Sequence, residues 1–271
     1  MTALENPRTT TATERRVRFR GVLRAEAGKT TSLRSLRISM AALPLLIAAG
    51  MLLRAWAYAQ TAANGPVGVP PAFGWQDVLG IGVHAGELGA VVLAAILAGS
   101  EYTARAAVST YLAVPHRLVV LAAKALVLVA ATAVLAAIGL LVGAAVSAPF
   151  MAQAHLAQPW SATAGDAASG AVLLVIVAVL TLAVGTLTRS TAAGIAIVLA
   201  VLLVGGTVAG LLGAVTGVDL GPFVLTYAAP MLTALHDPAG PGALAGDAVV
   251  TALWLAVPAA AAGVALVRRD V

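Results

Sequence analysis

An all-α membrane fold with six transmembrane helices follows from three observations. The 271 residues are 61% hydrophobic and only 10% charged, with a mean hydropathy of +0.98, whereas a soluble domain carries about 25% charged residues. The apolar residues fall into six blocks, about 36–59, 78–98, 118–147, 171–187, 191–215 and 248–267. Most reach the ~20 residues that cross a ~30 Å hydrocarbon core as helix. The 16 Lys and Arg residues crowd into alternate connections between these blocks. Lipid satisfies no backbone polar group, so helices are the expected form of each block. The 171–187 block is short, and its ends are expected to extend.

The basic residues set the orientation. Nine of them, Arg8 to Arg37, lie before or at the start of the first block. Arg105, Arg117 and Lys124 lie in or beside residues 99–124, Arg189 lies between blocks four and five, and Arg268 and Arg269 follow block six. The connections at 60–77, 148–170 and 216–247 hold no Lys or Arg, but do hold Asp77, Asp166, Asp219, Asp237 and Asp247. The asymmetry predicts a multi-pass protein of the cell inner (plasma) membrane with both termini cytoplasmic. Trp56, Tyr58, Trp75, Phe150 and Trp160 fall at the predicted outer ends, as an aromatic belt does. A net charge of +5 would suit nucleic acid, but these cations hug the spans, which points to lipid and topology. Ala57-Tyr58-Ala59 fits a signal-peptide cleavage site. The long polar leader before the first block argues that this span is retained.

The chain divides into three parts. Residues 1–16 read as a disordered cytoplasmic tail, Thr-rich and without apolar periodicity. Residues 17–35 read as an amphipathic surface helix, with Val17, Phe19, Val22, Leu23 and Leu33 alternating with Arg and Lys. A solvated basic tail held by anionic lipid is the plainer reading of that stretch. Residues 36–271 form the six-span domain. Within it, 216–247 contains an apolar run, Phe223–Leu235, interrupted by Pro230 and too short to cross. A re-entrant or interfacial pair of short helices on the outer side is expected there.

Little chemistry is encoded. The chain has no cysteine, hence no disulfide, thiol nucleophile or thiolate metal site. Gly28-Lys29-Thr30 resembles the end of a phosphate-binding loop, but the required upstream glycine is Leu23. Glu101 and Arg105 form an ExxxR pair like that of some intramembrane proteases, without the doubled glutamate those enzymes use. His84, His116, His155 and His236 have no metal-ligand spacing. A non-enzymatic chain without a cofactor or metal of its own is expected.

Glu87 is the one carboxylate deep in an apolar block, about 13 Å from Val78 by helical rise. Ionised, it costs on the order of 3 kcal/mol there unless it faces the bundle interior or water. His84 shares its face, and Arg54 lies at a similar depth in the first block. Two readings stand. Arg54, His84 and Glu87 line a substrate path, or they are a structural cluster with Arg54 snorkelling outward. Gly82–Gly86, Gly139–Gly143 and Gly206–Gly210 are GxxxG pairs, suited to close helix packing within the chain or between two copies.

The most distinctive segment is 99–124, a polar and basic island between blocks two and three. It runs Gly99-Ser100-Glu101-Tyr102-Thr103, then Thr110, then Ala113-Val114-Pro115-His116-Arg117, then Lys124. Upstream stands Leu23-Arg24-Ala25-Glu26-(x2)-Lys29-(x4)-Arg34-Ser35-Leu36. With the six-span layout, this resembles the ABC-2 type permeases, the membrane subunits of bacterial ABC exporters. Ala27-Gly28 departs from the Trp-Thr often found there. The resemblance implies a coupling segment at 99–117, with Glu101, Tyr102, Arg105, Tyr111 and Arg117 against a separate ATPase subunit. It further implies two copies of that ATPase, carrying ATP and Mg, and a second permease subunit, identical or related. The expected activity is export of a lipophilic or amphipathic substrate. The alternative is a self-contained secondary carrier or channel, with Glu87 and His84 as an ion or proton relay. A solvated loop is the plain alternative for 99–117.

Overall fold

The computed structural model describes residues 19–64, 74–103, 116–156, 160–233 and 241–268. Among them are eight α-helices: α1 Phe19–Ser32, α2 Arg34–Asn64, α3 Trp75–Thr103, α4 Arg117–Gln153, α5 Trp160–Thr188, α6 Thr191–Thr216, α7 Leu225–Thr233 and α8 Pro241–Arg268. A short 3-10 turn, Gly221–Phe223, precedes α7. Six of the helices, α2 to α6 and α8, are long and apolar enough to cross a membrane. The chain thus has the pattern of a multi-pass membrane protein. Each span runs past its apolar block, because a helix continues until its backbone reaches polar surroundings or a breaker. The short fourth block becomes the 29-residue α5.

Helix α3 is central, packed against α2, α4, α5 and α6. Helices in lipid gain little from the hydrophobic effect, so close dispersion contact has to hold them. Glycines supply it. A Cβ on Gly89 of α3 would lie 2.8 Å from the Leu43 Cα of α2, and one on Gly139 of α4 would lie 2.8 Å from the Pro44 Cα. Gly82 and Gly143 both face Met51, and Gly86 faces Ile47. Two of the three GxxxG pairs therefore clasp α2 within the chain. The third does not: Gly210 has nothing near it, and Gly206 only the Thr226 hydroxyl at 3.6 Å.

The α5–α6 connection is a tight reversal. Arg189 takes a left-handed conformation (φ 54°), and the Ser190 side chain caps α6 by accepting from Ala193 N–H. Gly99 at the end of α3 abuts Thr191 at the start of α6. Helix α1 packs on α4 and α2. Its buried face is Val22, Glu26 and Thr30, whereas Phe19 and Leu33 are exposed. The amphipathic pattern thus predicts the helix but not its inner face, which contains a carboxylate.

The aromatic residues at the predicted outer ends differ in exposure. Trp75 and Tyr58 are buried in the core, and Trp56 is exposed. Tyr58 turns inward because its hydroxyl has a polar partner there, described below.

Helix α7 lies against α5, α6 and α8. Trp254 Nε1 donates to the Phe223 carbonyl at 3.0 Å. Trp254 stands nine residues after Ala245, where the apolar part of α8 begins, or about 14 Å along the helix. The turn before α7 therefore lies well down the length of α8.

Candidate functional site

Helix α3 carries Glu87 twelve residues after Trp75 and thirteen before Ser100, the midpoint of its span. His84 sits one turn earlier on the same face. Both line a cavity of about 170 Å³ between α3, α5, α6 and α7. Its walls are Leu173 and Val177 of α5, Leu199 and Leu202 of α6, and Leu225 of α7. Leu88 and Leu203, both exposed, stand at its edge, and Thr226 adds a hydroxyl. His84 Nδ1 is 2.8 Å from the Gly80 carbonyl. A carbonyl only accepts, so Nδ1–H donates. The Glu87 carboxylate takes no hydrogen bond from the described residues.

Arg54 does not join this cluster. Its Nε lies 2.5 Å from Asp77 Oδ2, and its Nη2 donates to the Tyr58 hydroxyl at 3.1 Å. Tyr58 in turn donates to Asp77 Oδ2, and the guanidinium lies 4.6 Å from the centre of the Tyr58 ring. The expected grouping with His84 and Glu87 is corrected by this triad. Asp77 reads as a loop residue in the sequence, but α3 starts at Trp75 and puts it in the first turn. There its charge suits the helix dipole and is in reach of α2. The triad closes the α2–α3 end of the bundle.

The opposite end of the bundle is basic and tied together by several contacts. Glu26 of α1, 2% exposed, accepts from Lys29 Nζ at 2.7 Å and lies 3.8 Å from Lys124 Nζ of α4. Lys124, itself buried, donates to the Leu97 carbonyl of α3 at 3.2 Å. Val22, Val120 and Ala123 form a small apolar cluster beside the pair. Arg117 Nη1 donates to the Leu266 carbonyl of α8 at 2.8 Å. The Arg189 guanidinium stands 5.6 Å from the Tyr102 ring centre. The ends of α3, α4 and α8, helix α1 and the α5–α6 turn therefore share one face.

The structure describes the two ends of the segment expected at 99–117. Residues 99–103, with Glu101 and Tyr102, are the last turn of α3, while Arg117 opens α4. Tyr102 and Arg117 contact their own chain. Arg105 and Tyr111 lie outside the described residues. Gly28-Lys29-Thr30 is helical, with Lys29 on Glu26 and the Thr30 hydroxyl donating to the Ala27 carbonyl at 2.7 Å.

Sequence reasoning missed Glu26 and Asp77. The signal for Glu26 was present: it is the only carboxylate between Glu14 and Asp77, set in a basic helix. Thr226 carried no signal, since only the packing of α7 brings it to Glu87.

These features define a polytopic α-helical membrane protein with a polar cavity at mid-span and a cross-linked basic face. The chain matches no protein-family model, no curated protein and no solved structure.

Proposed function

We propose that this chain is the permease subunit of an ATP-binding cassette exporter of the ABC-2 type, working with a separate ATPase. The observation that carries the reading is the basic face. Helix α1 is clamped by Glu26 and Lys124 to α4 and, through Leu97, to α3, on either side of the 99–117 segment. A push on that segment would reach two spans and α1 together. The residue motifs at 23–36 and 99–124 support the same reading.

In this reading the basic face is cytoplasmic, by the charge asymmetry of the connections. Both termini are then cytoplasmic, the membrane is the cell inner membrane, and α1 lies along its surface. The turn at 221–223 and α7 enter from the outer side as a re-entrant element, consistent with the depth of the Phe223–Trp254 contact. Two ATPase copies, carrying ATP and Mg, would dock on Glu101, Tyr102, Arg105, Tyr111 and Arg117 of two permease subunits. Their closure on ATP would drive the 99–117 segments and switch access to the pathway. The cargo is lipophilic or amphipathic, because the spans offer few charges.

Co-purification with an ATPase encoded beside this chain tests the proposal. Glu101→Ala/Arg105→Ala is expected to weaken assembly and abolish stimulation of ATP hydrolysis. Unchanged assembly and stimulation would remove the coupling role.

A second reading, a self-contained carrier, is favoured only by the Glu87–His84 cavity. Uptake into liposomes holding this chain alone, driven by a proton gradient and abolished by Glu87→Gln, would establish it over the exporter.

A further inference from the structure

We infer that the mid-span cavity is a binding site for a lipophilic amine in its ammonium form, held by Glu87 through a charge-assisted hydrogen bond. The inference deepens the exporter reading by naming the substrate class of that site. It rests on three features. First, Glu87 stands at the midpoint of α3 with no hydrogen bond from the described residues, and with His84, one turn away, acting on it only electrostatically. A carboxylate at that depth is costly unless a partner or water meets it, and an ammonium ion meets it with one of the stronger hydrogen bonds available.

Second, the polar atoms of the cavity suit a cationic donor. They are the carboxylate, the His84 ring and the Thr226 hydroxyl, and no Lys or Arg lines the space among the described residues. An anionic ligand would face the Glu87 carboxylate with no Lys or Arg among the described lining residues to offset it. Third, the remaining walls are leucine and valine. A bare inorganic cation needs about six or more oxygen ligands, and the side chains here offer one carboxylate and one hydroxyl. An organic ammonium needs one anion and an apolar surface for its body, which is the usual composition of a small-molecule site. The cavity, about 170 Å³, accommodates a ligand of two fused rings rather than a long lipid.

The test uses the full-length chain in lipid nanodiscs, without ATPase, and a matched fluorescent pair: 1-naphthylmethylamine and 1-naphthylmethanol. Empty nanodiscs subtract partition into lipid. The wild type is expected to bind the amine at least tenfold tighter than the alcohol. Glu87→Gln, which keeps the shape and removes the charge, is expected to erase that preference. Leu203→Trp at the edge of the cavity is expected to weaken both ligands together, with the melting temperature showing that the variant is folded.

Equal wild-type affinities overturn the inference, as does an amine preference that survives in Glu87→Gln. Displacement of the amine by millimolar sodium at constant ionic strength would also overturn it, in favour of an inorganic cation. Because no ATPase is present, these outcomes are separate from the assembly experiment. Failed assembly with normal amine selectivity would reject the exporter alone, and the converse would reject the amine site alone.

Discussion

The α2–α3–α4 group and the α6–α8 side of the bundle are built from similar residues and packed very differently. In the most apolar stretch of α3, 61% of residues are buried, against 11% in α6 and 17% in α8. Helix α3 meets α2 through glycines with no space for a methyl group, and Gly139 of α4 does the same. Helix α6 carries its own GxxxG, yet Gly210 faces open space. The motif permits close approach but does not choose a partner. The first group is a scaffold. The second, with α7, supplies the wall of the Glu87 cavity.

Glu87 stands at the boundary between the two. Its helix is held from behind by α2, while the facing surface of α6 is lightly packed. This gives a carboxyl group on a firmly held helix and a wall with fewer constraints on its position. The two polar anchors, Arg54–Asp77 and Glu26–Lys124, both involve helices of the scaffold group.

The contrast is broken most strongly at Lys124. Lys124→Met leaves the buried Glu26 with Lys29 as its remaining partner, so the loss is expected below the ~3–5 kcal/mol of a fully uncompensated buried charge. Detergent-solubilised protein should melt markedly lower. Glu26→Met/Lys124→Met should recover most of the loss, since replacing both removes the buried carboxylate left one partner short. If the single and double variants melt alike, the pair is not what holds α1.

Next come the glycines. Gly89→Leu forces a side chain against the Leu43 backbone, and overpacking of this kind costs about 1–3 kcal/mol. Gly210→Leu should change the melting temperature of the isolated chain little, within the ~0.5 kcal/mol of an unconstrained position. Size-exclusion chromatography with fluorescence detection over a temperature series reads both. Equal losses would erase the distinction between scaffold and wall.

A mild loss is expected at Arg54, because each side chain of its ion pair is about a third exposed, 33% and 32%. Arg54→Met should cost about 1 kcal/mol and leave the amine preference at Glu87 intact. Loss of that preference would return Arg54 to the Glu87 cluster.

Much of the architecture was readable in one dimension. Hydropathy located six spans, and the stretch 17–35 contains α1. Glu87 stood out because an ionisable residue inside a long apolar block is costly wherever its helix points. Arg54 was readable as unusual and unreadable as to partner. Its depth matched His84, but its neighbour is set by the rotation of α2 against α3, and that rotation depends on glycines in both helices. The inner face of α1 was hidden for a similar reason, since a buried glutamate looks polar until its lysine is found 98 residues later.

By itself the sequence determined how many helices are apolar enough to cross a membrane, where charge gathers along the chain, and that one carboxylate lies at mid-span. Each of these depends on composition over a window, which is local. The tertiary structure alone decided which GxxxG pairs meet a helix, that Arg54 takes Asp77, that Glu26 takes Lys124, and that Thr226 reaches the Glu87 cavity. Those outcomes depend on which helix faces meet. In lipid that choice comes from close packing and paired polar groups between residues far apart in sequence.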